Sequence, residues 1–395
     1  MILKLRSVLF WMHLAVGVVV GLFILNMAAS GILIAYQKQI VQAVEQGPRT
    51  VNPPAGAPRL EVEALVAKVQ DERPQARLSA VTLFADPTSA VLFTVGKENN
   101  ALFVNPYSGE ITGEGQRTVR GFFQWMTTWH RWLALTGSFK SVGETVTGVV
   151  SIAYFALLLS GLVLWLPKRW SRSRVRQGAL LNLDLRARAR DWNWHNVIGL
   201  WCAPLLLIVA LTAIILAHHW AGDLLFRITG NPVPEQRKEG RRGNGEAEGK
   251  GPAPKLDLSG VNSLWAQAQK QVPDWNSIYF RFPKSPEAPV TFQIDRGSGN
   301  RPDQMAQLTF DRNSGEVTRW QPYETQNAGQ KLRSWVKPLH TGEAGGLFGE
   351  SLAVIAALGG IILVWTGLSL AWRRFFGSRK SSGSPPESTP TPSSL

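Results

Sequence analysis

Residues 195–219 read HNVIGLWCAPLLLIVALTAIILAHH, and residues 13–36 read HLAVGVVVGLFILNMAASGILIAY. Each run opens on a histidine (His13, His195), carries a glycine one turn later (Gly17, Gly199) and has a small residue eighteen positions on (Gly31, Ala213). About 20 apolar residues rising 1.5 Å each cross the hydrocarbon core of a bilayer. Both runs are long enough to do so, and neither contains Asp, Glu, Lys or Arg. Working outward, two more runs of this kind lie at 145–167 and 350–372, so the spacing predicts membrane spans at 12–36, 145–167, 195–219 and 350–372. Asn26, Cys202, Thr212 and Thr366 are the few polar intrusions.

Lys4 and Arg6 before the first run, with the small residues Ala28-Ala29-Ser30 inside it, also describe a cleavable leader. The apolar run continues past that point to Tyr36 and matches the third run, which cannot be a leader. It is therefore read as a span.

The formal charge of the 395 residues is +14, and its placement predicts topology. Lys168, Arg169, Arg172, Arg174, Arg176, Arg186, Arg188 and Arg190 crowd the loop at 168–194, and Arg373, Arg374, Arg379 and Lys380 follow the fourth span. Basic flanks stay in the cytoplasm, so both termini are expected inside and the segments 37–144 and 220–349 outside. A basic loop also suits nucleic acid, but topology accounts for it more simply. Cys202 is the only cysteine. Within one chain this leaves no disulfide and no thiolate-held iron–sulfur cluster.

The two external segments share one order of elements. In the first, Leu60–Val69 reads as a short helix, strands follow at Arg77–Phe84, Ala90–Val95 and Ala101–Val104, and a turn follows at Pro106-Tyr107-Ser108-Gly109-Glu110. In the second, the helix is Leu258–Gln271, the strands are Ser277–Phe282, Pro289–Ile294 and Ala306–Phe310, and the turn is Arg312-Asn313-Ser314-Gly315-Glu316. The expected fold is thus an α-helical integral membrane protein with four transmembrane helices and two external α+β domains, built by tandem duplication. The second copy carries an insertion at 231–256 whose composition suggests disorder. The Ser/Pro-rich stretch within 373–395 reads as a disordered cytoplasmic tail.

A ligating side chain beside a membrane span is costly and points to function. His13 and His195 stand at the cytoplasmic ends of their spans, while His130 and His340 stand at the external ends of the others. Two opposed imidazoles give a six-coordinate haem iron suited to electron transfer. The expectation is two bis-histidine b-type haems, one held by His13 and His195, the other by His130 and His340. His219 is an alternative external ligand, and the neighbouring His218 points elsewhere. Gly31 and Ala213 lie about 27 Å along the helix from their histidines, near the other haem. Ser160-Gly161 and Thr366-Gly367 lie near the first, 17 residues after Gly143-Glu144 and Gly349-Glu350. Two readings stay open: these small residues give the haem room, or they let helices pack. Trp11, Trp129, Trp132, Trp192, Trp194 and Trp335 read as an interfacial belt, and some could wall a haem edge. Arg120, Arg131, Lys140, Arg333 and Lys337 are candidates for pairing with propionates or an anionic substrate. No zinc-protease motif, phosphate loop or dinucleotide fingerprint occurs, so electrons must come from elsewhere.

Trp11-Met12-His13, Trp194-His195-Asn196, Trp129-His130-Arg131-Trp132 and Leu339-His340-Thr341-Gly342, with the turns Asn105–Glu110 and Asp311–Glu316, resemble the PepSY-associated transmembrane helix family, also called iron-regulated membrane proteins. The resemblance covers nearly the whole chain except 231–256 and the tail. It implies PepSY-like domains on the periplasmic side of the bacterial inner membrane. It further implies an enzyme, a di-haem reductase of ferric siderophores, with His13, His195, His130 and His340 as haem ligands. Its donor would be a cytoplasmic protein or a quinol. A competing expectation is a non-redox module whose external domains bind peptides or envelope proteins. A transporter is disfavoured because no span holds a charged or broken-helix site.

Overall fold

The structure, a computed structural model, describes residues 2–96, 100–167, 171–234, 257–283, 285 and 288–376. The insertion from residue 235 onward, the tail beyond 376, and Lys168 and Arg169 lie outside the described residues.

The chain opens with α1 (Ile2–Ala35), which ends at Tyr36 and gives way to the short α2 (Gln37–Val44) and α3 (Gln46–Arg49). There follow α4 (Val62–Glu72), β1 (Leu78–Phe84), β2 (Val91–Val95), β3 (Asn100–Val104), β4 (Ile111–Glu114), α5 (Arg117–Trp132) and α6 (Lys140–Trp165). A basic helix α7 (Arg172–Ala179) leads to α8 (Ala187–Ala217), which breaks at His218 into α9 (His219–Ile228). The same order then recurs: α10 (Val261–Gln271), β5 (Ser277–Arg281), β6 (Val290–Asp295), β7 (Met305–Phe310), β8 (Val317–Pro322), α11 (Ala328–Thr341) and α12 (Gly346–Phe375).

Helices α1, α6, α8 and α12 belong to the four segments long and apolar enough to cross a membrane. Each is apolar around its whole circumference, as lipid requires, and each begins several residues earlier than hydropathy alone suggests. Helix α1 packs on α6 and α12, and α8 packs on the same two, so α1 and α8 occupy opposite corners of the bundle. Leu158, Leu206, Ala210 and Ala356 fill its centre. Arg6 donates to the carbonyls of Leu164 and Leu166, satisfying acceptors that the end of α6 leaves open.

The two segments that follow α1 and α8 do not form two separate domains, contrary to expectation. They share one antiparallel sheet of eight strands in the order β4-β3-β2-β1-β5-β6-β7-β8. The join is β1 on β5, with Val81 opposite Phe280 and Leu83 opposite Ile278. Pairing these strands removes two open edges from the middle of the sheet. One face carries Phe93, Phe280, Phe292 and Phe310, all fully buried, and α4 and α10 cover it with Leu65, Val69, Val261 and Trp265. Burying each such aromatic contributes about 1.5–3 kcal/mol. The two covering helices start side by side: the Glu63 amide donates to Asn262 Oδ1 at 3.2 Å, and the Asn262 amide donates to Glu63 Oε1 at 3.0 Å. The opposite face is only partly covered: Tyr279, Gln293 and Gln307 make its β5–β7 part polar, while on β3 it carries Ala101 and Phe103, buried against Val51 and Ala90.

Strands β4 and β8 follow the two Ser-Gly-Glu turns, which therefore close hairpins. Asn105 and Asp311 donate their amides to the carbonyls of Glu110 and Glu316 at 2.8 and 2.9 Å. Gly109 and Gly315 supply the left-handed φ of 77° and 69° that each turn needs.

Helices α5 and α11 are amphipathic and lie against the bundle, α5 on α1 and α6, α11 on α8 and α9. Helix α11 starts in a capping box, Gln330 N–H to Asn327 Oδ1 at 2.9 Å and Asn327 N–H to Gln330 Oε1 at 3.1 Å. Each then turns sharply into the next span. There the Gly-Glu pairs have their explanation: a Cβ on Gly143 would run into the Trp132 carbonyl, and one on Gly349 into the Gly342 carbonyl.

Candidate functional site

His13 on α1 and His195 on α8 meet across the bundle diagonal with ring centroids 6.4 Å apart. His130 on α5 and His340 on α11 meet in the same way, 6.3 Å apart, at the end nearer the sheet. The structure thus brings together the two pairs that depth alone suggested. They stand near opposite ends of α1, which carries His13 itself and Ser30, the neighbour of His130.

Each imidazole is held by a hydroxyl from an adjacent helix. Ser160 Oγ lies 2.9 Å from His13 Nδ1, Thr366 Oγ1 lies 3.0 Å from His195 Nδ1, Ser30 Oγ lies 3.0 Å from His130 Nδ1, and Thr212 Oγ1 lies 3.1 Å from His340 Nδ1. His340 Nδ1 also lies 3.1 Å from the Val209 carbonyl, which can only accept, so that nitrogen carries the proton. Among the described residues nothing hydrogen-bonds the four Nε2 atoms, whose lone pairs are left for a metal once Nδ1 is the donor.

The residue after each hydroxyl is Gly31, Gly161, Gly367 or Ala213. A Cβ on Gly31 would lie 3.4 Å from His130 Cε1, one on Gly161 3.4 Å from His13 Cε1, and one on Gly367 3.3 Å from His195 Cε1. Neither of the open readings had this contact: the small side chain admits the imidazole itself. Sequence reasoning also missed the hydroxyls as anchors, although Ser30-Gly31, Ser160-Gly161, Thr212-Ala213 and Thr366-Gly367 form a visible repeat of hydroxyl followed by small residue.

The spacing suits one metal between each pair. A five-membered ring with bonds of about 1.35 Å places a nitrogen about 1.15 Å from the centroid, and imidazole nitrogen sits about 2 Å from a first-row metal. Two imidazoles on opposite sides of one ion therefore have centroids about 6.3 Å apart, against the observed 6.4 and 6.3 Å. The donor set, two neutral nitrogens and no carboxylate or thiolate, fits haem iron.

Other candidates are placed differently. His219 is exposed at the start of α9, and His130 and His340 face each other without it. His218 turns instead toward α6, where a Cβ on Gly148 would come within 2.9 Å of its Cε1. Arg120 is committed to Glu45: Nε to Oε1 at 2.6 Å and Nη2 to Oε2 at 2.7 Å. Burial alone would raise the pKa of Glu45, but Arg120, the Gln116 amide and Arg49 hold it below the usual carboxylate range. Lys140 and Arg131 stack on Trp132 at 4.3 and 4.8 Å. Lys337 is exposed. Trp129 Nε1 donates to Asn26 Oδ1 at 2.6 Å, so the polar intrusion in α1 positions the residue beside His130. Trp11 and Trp192, about half exposed, fit the interfacial belt.

No curated protein sequence matches the chain. The family model described as the PepSY-associated TM region matches residues 10–374, which takes in all four spanning helices, both histidine pairs and the whole sheet. The chain is therefore a multi-pass membrane protein that belongs to the PepSY-associated transmembrane-region family.

Proposed function

We propose that this protein is a di-haem reductase of the bacterial inner membrane, which carries electrons across the bilayer to reduce a ferric siderophore in the periplasm and release ferrous iron. The observation that carries the reading is the separation of the imidazoles: both pairs sit at the spacing of two opposed ligands on one metal.

His13 and His195 would hold one haem, and His130 and His340 the other. A haem held by two imidazoles would supply one-electron transfer at each pair. The chain's own task is to aim and insulate these ligands. The four hydroxyls fix each ring by its Nδ1, which sets both tautomer and rotation. Helix α1 sets the distance between centres, because Ser30 stands 17 residues beyond His13, about 26 Å along the axis. That nearly matches a hydrocarbon core about 30 Å thick. The apolar bundle keeps water from both pairs.

Orientation follows from charge. Arg172, Arg176, Arg186, Arg188, Arg190, Arg373 and Arg374 lie at the end of the bundle remote from the sheet, which supports a reading with both termini in the cytoplasm and the sheet in the periplasm. The PepSY-like halves, which we take to be a tandem duplication fused through β1 and β5, would then stand over the outer pair. The polar part of their partly covered face, with Tyr279, Gln293 and Gln307, would offer hydrogen bonds to a hydrophilic chelate. Reduction weakens the hold of hard oxygen ligands on iron, so release follows from the change of charge alone.

Purified protein tests this. The expected result is a bis-histidine haem spectrum with two haems per chain, one lost in both His13→Ala and His195→Ala and the other in both His130→Ala and His340→Ala. Colourless protein from haem-replete cells would overturn it.

A further inference from the structure

We infer that the groove between α8 and α12 behind His195 is the docking site for the ring of a lipid-soluble hydroquinone, which is the electron donor. The inference rests on the proposed function and adds the donor and its place.

A cavity of about 210 Å³ lies there, bounded by Arg190, Asp191 and Trp194 of α8 and by Ile361, Trp365 and Thr366 of α12. A cavity of about 150 Å³ accepts a benzene ring, so one substituted six-membered ring fits. Trp365, 70 % exposed, opens the groove toward lipid. Three features select the occupant. First, Trp194 Nε1 is buried with no acceptor, a donor waiting for a ring oxygen. Second, Asp191 is only 2 % exposed and gathers the local cations: Arg190 at 2.9 Å and Arg373 at 3.4 Å, with Ser369 donating at 2.7 Å. With the guanidinium groups answered by a buried carboxylate, the groove favours a neutral ligand over a phosphate. Third, Thr366 lines the groove and also meets His195 Nδ1 at 3.0 Å. The occupant therefore sits on the hydroxyl side of the His195 imidazole, opposite its free Nε2.

The chemistry balances. Oxidising one hydroquinone breaks two O–H bonds, forms two C=O bonds and releases two protons and two electrons. The two protons pass to water at the basic end of the bundle, while Asp191 stays ionised against Arg190 and Arg373. The electrons leave one at a time by way of His195, and two ferric chelates are each reduced to the ferrous state.

The test uses full-length protein in lipid nanodiscs and an azido-substituted decyl-benzoquinone as photolabel. Labelling is expected within residues 190–194 and 361–366, with competition by unlabelled decyl-benzoquinone. In Trp194→Phe the competitor concentration for half-protection should rise about tenfold, and Ile361→Trp, which fills the groove, should abolish labelling. Both variants should keep two haems reducible by dithionite. Labelling elsewhere, labelling unchanged in both variants, or equal suppression by added phospholipid would overturn the site. Haem loading and chelate reduction by dithionite-reduced protein are read in the same samples, so the site can fail while the reductase reading stands. Protein without haem would sink that reading separately.

Discussion

Ser30 and His130, a hundred positions apart and on different helices, meet at 3.0 Å between Oγ and Nδ1. Thr212 and His340 repeat the contact at 3.1 Å in the second half. Helix α1 therefore serves both centres: it gives a ligand candidate to one and a hydroxyl to the other.

That crossing makes a sharp prediction. Removing an outer hydroxyl frees the imidazole to rotate, and loss of such a partner costs roughly 10–100-fold in metal affinity. Ser30→Ala should lower haem retention at the His130/His340 centre and leave the His13/His195 centre intact, although Ser30 and His13 share a helix. Ser160→Ala should do the reverse. Haem transfer to apomyoglobin, followed in the Soret band and compared with the four His→Ala spectra, measures this. Loss of the same haem in both serine variants would contradict the assignment.

The small residues give a graded test. A Cβ at Gly31 would stand 3.4 Å from His130 Cε1, close but tolerable, and Ala213 already occupies the matching place beside His340. Gly31→Ala should therefore keep two haems. Gly31→Leu should expel the His130 ring and lose the outer haem only. Gly161→Leu should lose only the inner one. Haem-to-protein ratio by pyridine haemochrome is sufficient to read all three.

Gly143 and Gly349 act one step further back. Their α-carbons let the ends of α5 and α11 fold onto α6 and α12, where backbone carbonyls leave no room for a side chain. Backbone cannot step aside as a flexible side chain does, so Gly143→Ala and Gly349→Ala should each cost about 1–3 kcal/mol. Thermal melts in detergent should show the loss. The outer haem should loosen first, because α5 and α11 carry His130 and His340.

The sequence discloses the bundle readily, since uninterrupted apolar runs have one physical use. It also discloses the histidine pairing, because depth along a span is a one-dimensional quantity. Strands show wherever inward and outward residues alternate, as in Ser277–Arg281. Helices α5 and α11 escape notice because their apolar stripes are short and border the spans. The join of β1 to β5 leaves no local trace: Val81 and Phe280 read as ordinary core residues, and only the folded chain reveals that they face each other. Arg120 was misleading for a related reason. An arginine outside a membrane invites an anionic partner, and the partner proved to be Glu45, 75 positions away.

Glu45 supplies the last prediction. It sits just beyond α2, fully buried, and binds Arg49, Arg120 and the Gln116 amide, so it pins the exit of α1 to the start of the helix that carries His130. Removing one member of a buried pair costs about 3–5 kcal/mol, and Arg120 is partly solvated, so Glu45→Ala should lose about 3 kcal/mol. The sign with pH follows from the direction of the shift: folding lowers the Glu45 pKa. Its stabilisation is therefore complete above the unfolded value, about 4.3, and is lost as pH falls through the lower folded value. The melting-temperature gap between wild type and Glu45→Ala should be constant from pH 6 to pH 8, roughly the range well above that carboxylate value, and should narrow below it. A gap that widened on acidification would mean that Glu45 folds protonated, and the arginine clamp would then have to be abandoned.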